Sequence, residues 1–524
     1  MRHGRVLGLC DGGRRCHRHA DVPDRSETRH ACRDAARRRA ADVIEVDLAI
    51  LGAGPAGLAA AGEAVAHGLR VAVVDDNPRA GGQYFRQPPA QFRRDGGSWF
   101  DKEATRVAEL LRVLDHPSIT YLPDTVVWDV PAPDTLAVAG GERSGRVRGR
   151  ALLIAAGAHD RPVPFPGWTL PGVISAGGAQ NLLKGNRIVP GRRIVVAGNG
   201  PLLFVVAASL VRAGAEVAAV VEAAPINRRL LHAWPSMLAA PKILRQALDY
   251  RLSLLRAGVP VRTGMTVVAA RGADAVQDAA IAPIALDGSV DRAVSETIAC
   301  DALVVGFGLT PSVELLRLIG CELGYNRGRG GWLAVRSDRM ETSVANVFAA
   351  GDGAAIGGVE IALLEGRLVG LEVAARLGRA GNAEQRRAAL RDQLDRTDKF
   401  RRAIEAIFAG PSHYLGLLTA DTVVCRCEEV THGELQARQA EALDSMIQLK
   451  STTRAGMGRC QGRNCMATLA SIVSEASGTP IAGLNYPRTR PPVRPIAIGD
   501  LLHEPIPPPD LPADPHLPRR QNAS

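Results

Sequence analysis

Residues 46–61 read VDLAILGAGPAGLAAA, and no other stretch of the chain limits its fold so sharply. A short apolar run, Leu48 to Leu51, enters a turn carrying Gly52, Gly54 and Gly57, and an Ala-rich segment follows. The pattern is strand, tight turn, helix. Gly52 permits the turn, Gly54 lets a pyrophosphate approach the backbone, and Gly57 lets helix and strand pack closely. The helix start offers free N–H groups and a positive dipole end to phosphates. A second strand, Arg70 to Val74, ends at Asp75, whose carboxylate can accept hydrogen bonds from a ribose. With both flanks in place, the stretch predicts a Rossmann-like dinucleotide unit.

The pattern recurs at Arg193, in RIVVAGNGPLLFVVAASLVRAGAEVAAVVE. Gly198 and Gly200 fill the first two glycine positions, Leu203 stands in the third, and the next strand ends at Glu222. Further buried strands end at Gly157, cover 300–310, and finish in Gly351-Asp352. The expected fold is α/β: two Rossmann-like dinucleotide-binding domains, the second inserted in the first, and a small C-terminal helical domain. The expected boundaries are a basic extension over 1–42, a first domain over 43–160 and 301–375, and a second over 161–300. A helical connector over 376–420, a cysteine-bearing domain over 421–482 and a Pro-rich tail over 483–524 complete the chain.

A length of 524 residues suffices for two or three domains. No apolar run reaches the roughly 18 residues of a membrane span. The longest candidate, Ile194 to Val211, is broken by Gly-Asn-Gly-Pro. The net charge is +10, and residues 1–42 hold eleven Arg against six acids, so half of the excess sits in a segment that reads as disordered. That leaves a solvated surface with a basic tail, not the compact basic face that nucleic acid requires. The segment has no apolar core of a secretory signal, and its Cys10, Cys16 and Cys32 fit no common zinc spacing. An odd count of nine cysteines does not read as a secreted disulfide framework. The expected location is the cytoplasm, with peripheral contact at the inner face of the membrane compatible with the absence of a span.

Four of the cysteines form a pattern: Cys425-x-Cys427, thirty-two residues, then Cys460-x4-Cys465. Two close thiol pairs suit a metal centre. Structural zinc usually takes CxxC pairs, whereas a 2Fe–2S cluster also takes four Cys and accepts other spacings. Arg426, Arg454, Arg459 and Arg463 flank the thiols, and Gly456, Gly458 and Gly462 lie between them. Cations and unblocked backbone N–H groups would stabilise an anionic cluster. The sequence has no GxxxxGK, HExxH or GxSxG, and His159-Asp160-Arg161, directly after a buried strand, reads as a structural turn before an acid–base site.

TRAGMGRCQGRNC at 453–465, with its CxC partner, resembles the bacterioferritin-associated ferredoxin type of 2Fe–2S domain. The preceding chain resembles pyridine nucleotide-disulfide oxidoreductase-type flavoproteins. The combination, with GAHDRPVPFPGWTLPGVISAGGAQ at 157–180, is similar to the large FAD-containing subunits of amino- and imino-acid dehydrogenases. These include the A subunit of opine oxidase, the B subunit of hydrogen cyanide synthase, and the alpha subunits of proline and D-hydroxyproline dehydrogenases. The resemblance covers about 43–500. It implies that Gly52, Gly54, Gly57 and Asp75 hold the FAD pyrophosphate and adenosine ribose, and that Gly82 and Gln83 line the flavin side. It implies that Gly157 and Gly351 belong to the middle and late FAD motifs and that Asp352 bonds the ribityl or pyrophosphate portion. The cluster ligands would be Cys425, Cys427, Cys460 and Cys465. It further implies a small amino- or imino-acid substrate, with an amine-oxidase-type flavoprotein beta subunit and a small third subunit as partners. There are two departures. No redox CxxC exists, which excludes dithiol reduction. Leu203 weakens the second fingerprint. Gly198, Gly200 and Glu222 could hold NAD or ATP, and Glu222 would repel the 2′-phosphate of NADP. An NAD(P)H:acceptor reductase or a non-catalytic electron relay are the alternative functions.

Overall fold

The computed structural model describes residues 43–89, 91, 101–140, 143–226, 229, 241–285, 287–410, 414–439 and 445–501. The basic segment 1–42 and the end of the Pro-rich tail, 502–524, lie outside the described residues. The first sheet runs in the order Ile119–Leu122, Val71–Val74, Val43–Leu51, Arg143–Ile154, Thr135–Gly140, Val126–Ala132, with Val347–Ala349 paired to the end of Arg143–Ile154. Its centre is parallel, with Leu48 opposite both Val71 and Ala151. Leu48, Ala49 and Ile50 are all fully buried, and so are Leu152, Leu153 and Ile154. Such unbroken apolar runs are what a parallel sheet covered on both faces requires.

The second unit leaves the first after Ile154 and returns before Val347, so it is an insertion, and its strand Ala302–Gly306 lies past the expected boundary at 300 because it pairs with Arg193–Gly198. Its neck is the antiparallel pair Ala158–Asp160 with Leu309–Pro311. Its sheet is wholly parallel, in the order Val261–Thr263, Glu216–Glu222, Arg193–Gly198, Ala302–Gly306, Val173–Ser175. A three-stranded antiparallel sheet, Met265–Arg271, Asp278–Pro283 and Glu296–Ala299, packs beside it. The long helix Ala383–Ile407 packs Leu390 and Leu394 back onto the first core. The cysteine-bearing domain is a short hairpin, Val423–Cys425 with Val430–Thr431, and the helices His432–Gln439, Met446–Thr453 and Met466–Ser477. Its own core includes Val424, Leu435, Leu449, Leu469 and Val473.

The helices Pro55–Ala66 and Val359–Arg376 touch at glycines. A Cβ added at Gly366 would lie 2.1 Å from the Ala56 carbonyl oxygen, and one at Gly370 2.6 Å from that of Ala60. Glu365, one position before that contact, is buried. It accepts two hydrogen bonds from Arg336, at 2.9 and 2.6 Å, and one from the Gly351 N–H at 2.7 Å. Arg336 is itself only 12% exposed, so removing the carboxylate leaves a buried cation. Glu365→Ala is therefore expected to cost about 3–5 kcal/mol of stability. Thermal unfolding checks this, and a loss below about 1 kcal/mol, the worth of a surface pair, would contradict it.

Candidate functional site

In the first unit the turn is set by sterics. Gly52 has φ +102°, and a Cβ there would stand 2.3 Å from the Ala155 carbonyl oxygen. The Ala53 N–H donates to Asp75 Oδ2 at 2.6 Å, while Asp75 Oδ1 accepts from the Asn77 N–H and side-chain amide at 2.8 and 2.9 Å. Burial raises the Asp75 carboxyl above the usual range, and these donors pull it back. Gly82 faces Gly54 so closely that a Cβ on it would be 3.0 Å from the Gly54 Cα. Gly351 lies against Ala56 and Ala362, in the first turns of both crossing helices, so two helix N-termini meet there. Asp352 Oδ1 accepts from the Gly357 and Gly358 N–H groups, each at 2.8 Å, leaving Oδ2 free of both, and burial raises this carboxyl. Gly157, with φ +68°, faces open space. Gln83 is exposed and accepts from Arg86 at 3.0 Å. Backbone N–H groups, two convergent helix dipoles and open space over glycine are the features that a dinucleotide pyrophosphate needs, so the residues fit FAD. The second helix start at Gly358 and the brace from Asn77 were not foreseen. The Gly357-Gly358 pair before an apolar run was the available signal.

The second unit differs. Leu203 is fully buried and lies over Gly306, where a Cβ would be 3.0 Å from the Leu203 Cδ2. The glycine that eases helix–strand packing has moved from the helix to the facing strand, which is why leucine is tolerated at the third position. Glu222 is fully buried. It accepts from the Gly200 N–H at 2.9 Å, the Ala224 N–H at 2.9 Å and the Asn199 amide at 2.8 Å. Burial nevertheless pushes its carboxyl up to about 7. Because the folded value lies above the ordinary 4.5, the folded state holds the extra proton between these limits. Stability from this group is complete below pH 4.5 and is lost as pH rises to about 7. A fall of about 3 kcal/mol across that window is expected in the native chain relative to Glu222→Gln, measured by denaturant unfolding at several pH values.

The four cysteines of the C-terminal domain converge as two pairs. Cys425 touches Cys465, both buried, and Cys427 touches Cys460, both partly exposed. A hydrogen bond from Cys465, then N–H groups of Gly456, Glu428 and Cys427, hold Cys425 down to about 5. Among the described residues no three His, Cys, Asp or Glu side chains are drawn together closely enough to hold a metal ion as they stand. Two thiol pairs, each drawing one member from each motif, fit a two-iron centre better than a single zinc ion. Gly458 is required there, since a Cβ on it would be 2.3 Å from Cys427 Cβ. The flanking arginines do other work than expected: Arg454 pairs with Glu428 at 2.8 Å, Arg463 with Glu314 at 2.9 Å, and Arg426 stacks over Trp168 at 5.9 Å. Arg463 still interacts electrostatically with Cys460, and Cys425 takes backbone donors from Gly456, Glu428 and Cys427. Of the His159-Asp160-Arg161 run, Asp160 accepts from Ser175 Oγ at 2.6 Å and from the Gly177 N–H at 3.1 Å, bracing the start of helix Ala176–Asn186.

Two dinucleotide folds followed by a paired-thiol domain define an FAD flavoprotein that carries a 2Fe–2S centre. The chain belongs to the pyridine nucleotide-disulphide oxidoreductase family, whose model matches residues 46–386, and residues 423–475 match the BFD-like [2Fe-2S] binding domain. It is 32% identical over 472 residues to the A subunit of opine oxidase from Rhizobium meliloti, covering 88% of each chain. It is 34% identical over 449 residues to the HcnB subunit of hydrogen cyanide synthase from Pseudomonas protegens, covering 84% of this chain and 94% of the relative. The crystal structure of L-proline dehydrogenase from P. horikoshii shares the fold, with a TM-score of 0.61 at 20% identity over 87% of this chain and 79% of that one. Among the described residues no helix is long and apolar enough to cross a membrane.

Proposed function

We propose that this chain is the FAD- and 2Fe–2S-carrying subunit of a heteromeric dehydrogenase that oxidises a C–N bond in an amino or imino acid of the opine or hydroxyproline type. The observation that carries the reading is a flavin-type groove and a cluster loop in one chain with no dithiol between them. The remaining described cysteines, Cys300 and Cys321, lie in separate cores, and burial raises both thiols. Among the described residues no thiol pair outside the cluster motif is available for the disulfide chemistry of the wider family. In this reading Gly52, Gly54, Gly57, Asp75, Gly82, Gly157, Gly351 and Asp352 hold FAD, Gln83 stands at the flavin rim, and Cys425, Cys427, Cys460 and Cys465 hold the cluster.

A bound flavin exchanges two electrons and a 2Fe–2S cluster one, so together they divide a hydride into single steps. The C–N bond is oxidised on an amine-oxidase-type flavoprotein partner, with a small third subunit completing the complex in the cytoplasm. The opine oxidase and hydrogen cyanide synthase relatives, each named as a subunit, support a heteromeric complex. The test is co-expression with the flavoprotein encoded alongside, followed by turnover with opines, proline and hydroxyproline and an artificial acceptor. A co-purifying pair that oxidises one of them is expected. A pair that oxidises none overturns the substrate assignment.

A further inference from the structure

Between the long helix and the first cluster cysteine, the described residues 408–410 and 414–423 make a series of contacts with the second unit. The Phe408 carbonyl accepts from the Asn199 side-chain amide at 3.0 Å, the same amide that donates to Glu222. The Phe408 ring sits edge-on to Phe204, with centroids 5.9 Å apart. The Ala409 carbonyl accepts from Arg229. Gly410 lies on the Asn199 side chain, where a Cβ would come within 3.1 Å of it. Beyond, Tyr414 packs edge-on against Phe307 at 5.4 Å, between the guanidinium groups of Arg161 and Arg327. Arg292 donates to the carbonyls of Gly416 and Leu417 at 3.0 and 2.9 Å, and Leu417 is fully buried in the core of the second unit. Trp168 Nε1 donates to the Val423 carbonyl at 2.7 Å, two residues before Cys425.

These contacts begin on the glycine loop itself. In a dinucleotide unit, the N–H groups of that loop and the acid ending the second strand receive the pyrophosphate and the adenosine ribose. Here the Gly200 N–H is held by Glu222, much as the Ala53 N–H is held by Asp75 in the first unit, and what differs is that Asn199 reaches out to the connector. The first unit has Ala53 at the position of Asn199, with no side chain able to make that reach.

The geometry points to a reassigned site: the second dinucleotide unit takes no nucleotide, and its glycine loop is the socket for Phe408–Gly410 of the same chain, fixing the cluster domain on the flavoprotein body. This goes beyond the proposed function and holds whatever substrate the complex oxidises. Two measurements on the full chain with its cofactors test it. The first is equilibrium dialysis against NAD⁺, NADH and ATP at about 1 mM each, where a site of millimolar affinity would be half filled. No retention beyond FAD and no anaerobic bleaching of the flavin by NADH are expected. The second is hydrogen exchange in the double variant Asn199→Ala, Phe408→Ala. Residues 414–425 should exchange at least about tenfold faster, one factor of ten being the effect of a 1.4 kcal/mol loss, with residues 46–75 unchanged. One nucleotide retained per native chain overturns the proposal, and so does exchange over 414–425 that the double substitution leaves unaltered.

Discussion

Serine in place of Cys460 is expected to remove the iron–sulfur chromophore and leave the flavin. Cys460 and Cys427 form the partly exposed thiol pair, and losing one member would leave the cluster three protein thiolates in place of four. A serine hydroxyl does not ionise at neutral pH and is a poor substitute for a soft thiolate. Cluster occupancy should fall at least about tenfold, the lower end of what even outer-shell changes do to metal sites. Cys460 is a better probe than Cys425 or Cys465, which are also buried in the core of their domain, where serine would add an unpaired hydroxyl. The flavin should stay because the first unit is built on a different core. Iron and sulfide analysis, the electron paramagnetic resonance signal of the dithionite-reduced protein and released FAD read the two sites separately. Full iron content in Cys460→Ser would remove this cysteine from the ligand set. Loss of FAD together with iron would mean that the two sites are not built independently.

The parts of this molecule legible in the sequence are those fixed by local sterics or by short spacing. Gly52, Gly57 and Asp75 can be read because a turn between strand and helix tolerates few other residues at those places. The cysteines can be read because two pairs at close spacing have few other uses. What escapes is long-range partnering. Arg454 and Arg463 stand beside thiols in the sequence, yet each pairs with a carboxylate distant in the chain, Glu428 beside Cys427 and Glu314 in the flavoprotein body. Leu203 reads as a damaged fingerprint until Gly306, on a facing strand, shows where the space was recovered. Asn199 carries no signal at all, since its partner Phe408 lies 209 residues away. A connector full of Arg and Glu reads as a solvated helix, and only the fold shows that its end is seated on a glycine loop.

Alanine at Gly57 is expected to weaken FAD binding and disturb part of the fold, whereas alanine at Gly54 should weaken binding and spare the fold. The two glycines are three residues apart, but their surroundings differ. A Cβ on Gly57 would lie 1.8 Å from the Gly52 carbonyl oxygen and 3.1 Å from Ile50 Cγ2. The nearer obstacle is backbone, which cannot turn aside as a side chain can, so the helix Pro55–Ala66 must move off its strand. Overpacking of this kind costs about 1–3 kcal/mol or more. Displacing the helix also carries its N-terminal N–H groups away from the place where they meet Gly351 and the second helix start. A Cβ on Gly54, by contrast, would come no nearer than 3.9 Å to the Gly82 Cα, an ordinary contact. The methyl group there would occupy only the room through which a pyrophosphate reaches the backbone. Thermal unfolding of the FAD-free forms should therefore separate Gly57→Ala from the native chain by several degrees and leave Gly54→Ala unmoved. Bound FAD should fall at least about tenfold in both, the 1.4 kcal/mol equivalent of one poorly met phosphate. The cluster domain, with its own core, should retain iron in each variant. Full FAD content in Gly54→Ala would show that the dinucleotide does not approach the loop at this residue. An unchanged melting temperature in Gly57→Ala would show that the helix and strand can part there without loss.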